Sequence, residues 1–206
     1  MLQSDLRGML SLQNELNKIV NPDWVYARYP WRRAIFVECA ELMDHLSWKW
    51  WKKPEPNCAQ AHIELVDIWH FLLSQTLELC DGDERRAAEW IGYQWHKPVL
   101  DDIRDQRRHV EEFCVQVLST QRPQITRFRM LCEALALSPD RLKEMYVAKN
   151  VLNIFRQRNG YKDGSYIKTW RGQEDNVVLE HLMGFSNDPI FLLEKLTEEY
   201  ALARPI

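Results

Sequence analysis

The segment Ala59 to Leu79 constrains this chain more than any other. Ile63, Leu65, Val66, Ile68, Trp69, Phe71, Leu72 and Leu73 leave it little polar surface, so the sequence predicts a helix buried on most sides. Asp81-Gly82-Asp83 closes it. A helix of this kind must be wrapped by others, yet it carries Glu64 and Asp67 within HIELVDIWHF. A spacing of three puts both acids on one face, about a turn apart. An ionised acid in such a helix is costly unless it is paired or metal-bound.

A second acid pair precedes it. Glu38 and Glu41 sit in VECAELMDH, on a helix predicted from Trp31 to about Trp51 with Ile35, Cys39, Leu42 and Leu46 along one stripe. Lys52-Lys53-Pro54-Glu55-Pro56 breaks that helix. The 22 residues between Glu41 and Glu64 are enough for the two helices to pack antiparallel, which would bring four carboxylates together. Such acids repel one another unless a cation sits among them, and hard oxygen ligands suit Mg²⁺ or Mn²⁺. Two such ions can bridge phosphate oxygens and lower the pKa of a water. A single ExxE pair reads equally well as a solvated helix face; the pair inside the apolar segment is what favours a metal site.

The rest of the chain reads as helical. Helices are expected over 4–19, 84–95, 100–119, 124–136, 140–158 and, as one or two pieces, 177–203, with Asn159-Gly160 as a stop after the fifth of these. Trp24 to Pro30 and 161–176 read as loops. Only 7 glycines in 206 residues argue against a turn-dense β fold, so the expectation is one all-α domain over 1–206. A formal net charge of -3 gives no field for a nucleic acid backbone. Cys39, Cys58, Cys80, Cys114 and Cys132 lack metal-ligand spacing and read as buried, reduced thiols. No signal peptide and no apolar run of membrane-spanning length is visible, so a cytoplasmic protein is expected.

The stretch from Lys149 to Asn176, KNVLNIFRQRNGYKDGSYIKTWRGQEDN, gathers cations. Lys149, Asn153 and Arg156 share one helical face, and Lys162, Lys168 and Arg171 follow among Gly160, Gly164 and Gly172. Arg and Lys neutralise phosphate oxygens, and glycine allows close backbone approach. A solvated helix end and surface loop is the plainer reading. Tyr161 and Tyr166 can pack on a sugar. Gln13 and Asn17 lie a turn apart on the first helix, and amides can pair with a pyrimidine edge. Trp48, Trp50 and Trp51 suit base stacking, or packing in a core or dimer interface. His45 and His70 follow acids by four and three residues and read as supporting residues, since neither makes HExxH.

Taken in order, ECAEL, the SWK tryptophan run, HIELVDIWHF and the 28-residue stretch from Lys149 closely resemble the dimeric dUTPases of the all-α NTP pyrophosphatase superfamily, cousins of the MazG-type enzymes. The last stretch is the most specific; the resemblance covers 1–80 and 146–180, and 81–145 does not align. It implies two packed helical lobes around the site, a homodimer, and conversion of dUTP, and often dUDP, to dUMP. It implies two or more Mg²⁺ ions held by Glu38, Glu41, Glu64 and Asp67, with Mn²⁺ able to substitute. An activated water would attack the β-phosphorus with Glu41 as base. Lys149, Arg156, Lys162 and Lys168 would hold phosphates, Asn153 and Tyr166 would lie near the nucleoside, and Gln13, Asn17 and Trp48 or Trp51 would hold uracil. The rivals are a MazG-like or dCTP-directed pyrophosphatase and a non-catalytic helical scaffold.

Overall fold

A computed structural model describes residues 1–53, 55–99 and 105–203. Its elements are α1 (Gln3–Val20), a 3-10 turn (Trp24–Tyr26), α2 (Trp31–Asp44), α3 (Cys58–Leu79), α4 (Glu84–Trp95), α5 (Gln106–Ser119), α6 (Ile125–Ala134), α7 (Pro139–Arg158), β1 (Thr169–Trp170), β2 (Gln173–Glu174), α8 (Asp175–Met183) and α9 (Pro189–Ala203). The fold is all-α, with one short hairpin. Several helix starts are set by side chains that accept an otherwise unpaired backbone N–H: Asn57 from Gln60, Asp83 from Arg86, Asp105 from Arg107 and Ser138 from Arg141.

The apolar α3 is the axis around which the rest is arranged. It packs against α1, α2, α4 and α7, and α5 and α6 close the far side of α2 and α4. Trp69 of α3 stacks on Phe128 of α6 at 5.1 Å and meets Trp95 of α4 edge-on at 5.8 Å. A second apolar cluster joins Ala148, Leu152 and Phe155 of α7 to Trp170, Leu179, Leu192, Leu196 and Tyr200. Leu142, Met145 and Tyr146, earlier on α7, belong to the main core, so this helix spans both clusters.

Three sequence expectations change in detail. The helix expected to reach Trp51 stops at Asp44. Ser47 adopts a left-handed φ of 57°, and Asp44 takes the Trp48 indole N–H and the Lys49 ammonium, so local hydrogen bonds end the helix although Leu46 is still buried. The loop expected over 161–176 contains the β1–β2 hairpin, whose tight turn uses positive φ at Arg171 and Gly172. Of the five thiols, all free, Cys58 is exposed at the start of α3 and Cys114 is half-buried; Cys39, Cys80 and Cys132 are buried as expected. The helix expected over 100–119 begins at Gln106, and 100–104 lie outside the described residues. Asn159-Gly160 ends α7 as expected. Gly160 has φ 90°, a left-handed conformation that a side chain strains, and a Cβ there would also meet Ser165 Oγ. Among the described residues no helix is long and apolar enough to cross a membrane.

Phe128 is fully buried against Trp69 and Phe113, so its loss leaves a cavity at the centre of the core. Phe128→Ala is expected to lower stability by about 3–5 kcal/mol, read as a shift in the urea midpoint at unchanged slope.

Candidate active site

Helices α2 and α3 run antiparallel. Trp31, at the start of α2, donates to Glu78 near the end of α3, whereas His45, just past α2, lies 3.3 Å from Glu64 near the start of α3. Between these contacts Glu38, Glu41 and Glu64 converge, each offering an oxygen within 4.8 Å of the others. Glu64 is buried, Glu38 half-buried and Glu41 exposed. Burial, and next the negative charge of Asp67, push the Glu38 carboxyl up to about 8 and the Glu64 carboxyl up to about 7. Burial also lowers the basicity of His45, so its contact with Glu64 is better described as a hydrogen bond than as an ion pair.

Asp67 stands one turn beyond Glu64 but outside the three-carboxylate group, because it is already paired. Lys149 of α7, almost fully buried, donates to Asp67 Oδ2 at 2.7 Å and to Asn176 Oδ1 at 2.9 Å. Arg156, two turns further along α7, donates through Nε and Nη2 to the carboxylate of Asp175 and also reaches Asn176 and Asn153. Tyr166 donates to the same Asp175, which is fully buried at the start of α8. The Asp175 ion pair holds the Arg156 guanidinium in its charged form despite its burial. The residues from Asp67 to Tyr166 therefore form one continuous polar chain that ties α3 to α7 and α8.

Beside the acids lies a cavity of about 490 Å³, within the range of small-molecule sites. Its wall includes Glu38, Asp67, Asn153 and Arg156 at one part and Gln13, Asn17, His70 and Ser74 at another, with Trp24, Trp31, Phe71 and Tyr161 as aromatic surfaces. Gln13, Asn17, Glu38, Asp67, Asn153, Arg156 and Tyr161, all proposed from sequence, thus share one cavity. Others stand apart. Trp48 and Trp51 contact each other edge-on at 5.2 Å on the exposed turn after α2. Lys162 donates to the Val20 carbonyl, Lys168 pairs with Glu174, and Tyr166 packs on Tyr200.

Sequence reading passed over Asp175, Asn176, Ser74 and the cavity aromatics Trp24, Trp31 and Phe71; Tyr161 it had named. A usable signal did exist for α3: Glu64, Asp67, His70 and Ser74 recur at helical spacing, a polar stripe through an apolar helix. Asp175 and Asn176 carried no such signal, because their partners are on another helix.

Fold and site together define an all-helical protein with a carboxylate cluster beside a cavity of ligand size. A family model described as dUTPase matches residues 5–161, which includes the middle of the chain that the sequence motifs do not cover. The chain belongs to this dUTPase family, and its activity is the hydrolysis of dUTP. No curated protein matches the sequence significantly.

The raised carboxyls make a pH prediction. Their protonated forms favour the fold, so their contribution is complete below the ordinary carboxyl range and is lost as pH rises through about 7 to 8. A divalent cation that binds the ionised cluster offsets that loss. In EDTA the thermal midpoint is expected to fall between pH 6 and pH 9, and the gain on adding Mg²⁺ to grow over the same interval. A gain independent of pH would contradict the assignment.

Proposed function

We propose that the chain hydrolyses dUTP, and also dUDP, to dUMP, with Glu38, Glu41, Glu64 and Asp67 holding two or more Mg²⁺ ions that Mn²⁺ can replace. The observation that carries this reading is the convergence of Glu38, Glu41 and Glu64 beside the cavity. The donor set fits the ion: all ligands are carboxylate oxygens, two are held at raised pKa by burial and mutual repulsion, and a cation relieves both. When bound, the metal supplies charge neutralisation on the phosphates and acidifies water.

The chain's own groups divide the remaining work. Glu41 is the exposed member of the cluster, so solvent reaches it, and on this reading it accepts the proton of the attacking water. Glu38 and Glu64 are fixed by burial and, for Glu64, by His45. Lys149 balances the charge of Asp67 and, with Arg156, supplies positive charge to the phosphates. Lys162 and Lys168 add to this from the segment after α7; their present contacts are exposed and worth little, so trading them for phosphate oxygens costs little. Gln13 and Asn17 hold uracil, and Asn153, in the same cavity wall, meets the sugar. Trp48, Trp51 and Tyr166 are assigned to the nucleoside on the family resemblance alone, since Trp48 and Trp51 sit on the exposed turn after α2 and Tyr166 packs on Tyr200.

The working unit on this reading is a homodimer of single-domain protomers in the cytoplasm, with no nucleic acid partner. Exposed Phe36 and Val37 on α2 and Val115 and Leu118 on α5 offer apolar surface for a second copy. Arg32, one turn before Phe36, donates to the Leu118 carbonyl, so these two helix faces are adjacent.

Pyrophosphate release is expected from dUTP in preference to dTTP, dCTP and UTP, to vanish in EDTA and to return with Mg²⁺. Glu41→Gln is expected to fold normally and lower kcat by about 10²-fold or more. Near-normal turnover would remove Glu41 from the base role, and hydrolysis in EDTA would remove the metal from the reaction.

A further inference from the structure

Two of the free thiols meet across the seam between α2 and α5. Cys39 lies on the buried stripe of α2 with Ile35 and Leu42, and Cys114 lies a turn after Val110 and a turn before Val117, on the face that α5 buries. Arg32 fixes the register: its Nη1 donates to the carbonyls of Leu118 and Thr120 at 3.4 and 3.2 Å, so the start of α2 lies beside the end of α5. Cys39, two turns after Arg32, then faces Cys114, one turn before Leu118, and the two thiols are hydrogen-bonded to each other. The helices are therefore antiparallel here. Packed helices with axes about 8–10 Å apart bring facing Cα atoms, each about 2.3 Å from its axis, to roughly 3.5–5.5 Å. That overlaps the Cα separation of about 4.4–6.8 Å that a disulfide needs. Cys39 is buried and Cys114 half-buried, so an oxidant from solvent meets Cys114 first.

A bond between them would be felt at the acids. Disulfide sulfurs are about 2.05 Å apart, closer than two hydrogen-bonded thiols, so α2, α5 or both must move to close the difference. Helix α2 lies between α3 and α5. Glu38, the residue before Cys39, converges with Glu64 of α3. A pull on Cys39 toward α5 thus draws Glu38 away from Glu64.

We propose that Cys39 and Cys114 are a redox pair: peroxide closes them to an intramolecular disulfide, which draws Glu38 from Glu64 and loosens the carboxylate cluster's hold on a divalent cation. The Cys114 sulfur attacks one peroxide oxygen, the O–O bond breaks, and a sulfenic acid and one water result. The Cys39 sulfur then attacks the sulfenic sulfur, the S–O bond breaks as the S–S bond forms, and the second water leaves with the Cys39 proton. The two thiols lose two electrons and peroxide takes them. A thiol reductant reverses the step by exchange. The consequence for the cation rests on the metal reading above; the cross-link does not.

The test treats the full chain, as wild type and as Cys114→Ser, with hydrogen peroxide, and reads the unreduced tryptic peptide map and the Mg²⁺ affinity by calorimetry. In the wild type a peptide joining Cys39 to Cys114 within one chain is expected. Mg²⁺ affinity is expected to fall by about tenfold, the scale on which disturbing the surroundings of metal ligands acts. Dithiothreitol is expected to restore the free thiols and the affinity. Cys114→Ser is expected to keep the affinity of the reduced protein after the same treatment. No joined peptide, or Cys39 joined to a different cysteine, overturns the inference whether or not the variant folds. So does a joined peptide with unchanged Mg²⁺ affinity, or an equal loss of affinity in Cys114→Ser. A reduced protein that binds no Mg²⁺ refutes the metal reading and the loosening with it, while the joined peptide still decides the cross-link.

Discussion

The mutual repulsion of acids in a partly dry site is the constraint on which the rest of this structure depends. Glu64 lies on a helix whose other faces are sealed by α1, α2, α4 and α7, and Glu38 and Glu41 face it from α2. Charges at that separation cannot all be ionised without compensation, because low polarity strengthens their repulsion and removes their hydration. The chain relieves part of this by placing a buried ammonium, Lys149, on Asp67, and part by leaving two carboxyls easily protonated. The remainder is a standing demand for cation charge. An apolar substitute at Glu64 would remove that demand, which is why a carboxylate at this position argues for function rather than stability.

Lys149 also explains why α7 is built as it is. Its apolar residues divide between two clusters, and its polar residues carry the link between them. Lys149 reaches back to α3, whereas Arg156 reaches forward to Asp175, and Asn176 accepts from both. The bidentate Arg156–Asp175 pair fixes the guanidinium plane as well as its charge. The two cations are thus held in place by the fold, and on the proposed reading less ordering remains for phosphate binding to impose.

Legibility in the sequence followed the reach of each interaction. The helices were readable because apolar periodicity and helix breakers act within a turn or two; the caps at Asn57, Asp83 and Ser138, which the sequence reading did not use, act just as locally. The acids were readable because a spacing of three fixes a shared face whatever the tertiary structure. The end of α2 was not, because the apolar stripe continues to Leu46 while hydrogen bonds to Asp44 end the helix first. The pairing of Lys149 with Asp67 joins residues 82 apart in sequence, and the aromatic walls come from the segments after α1 and after α7 and from α2 and α3, so no local pattern predicts either.

The polar stripe on α3 unites these observations. Glu64 and Asp67 serve charge, and His70 and Ser74, one and two turns further on, serve hydrogen-bond polarity. A single rigid helix therefore sets the distance between the carboxylate cluster and the polar group around His70. Its apolar remainder is what makes that distance reliable: with Leu65, Ile68, Trp69, Leu72 and Leu73 fully buried, the helix cannot rotate or slide without opening the core. The same packing that makes its acids costly also keeps them in register with the polar wall of the cavity, so core and site are two faces of one helix rather than competing demands on it.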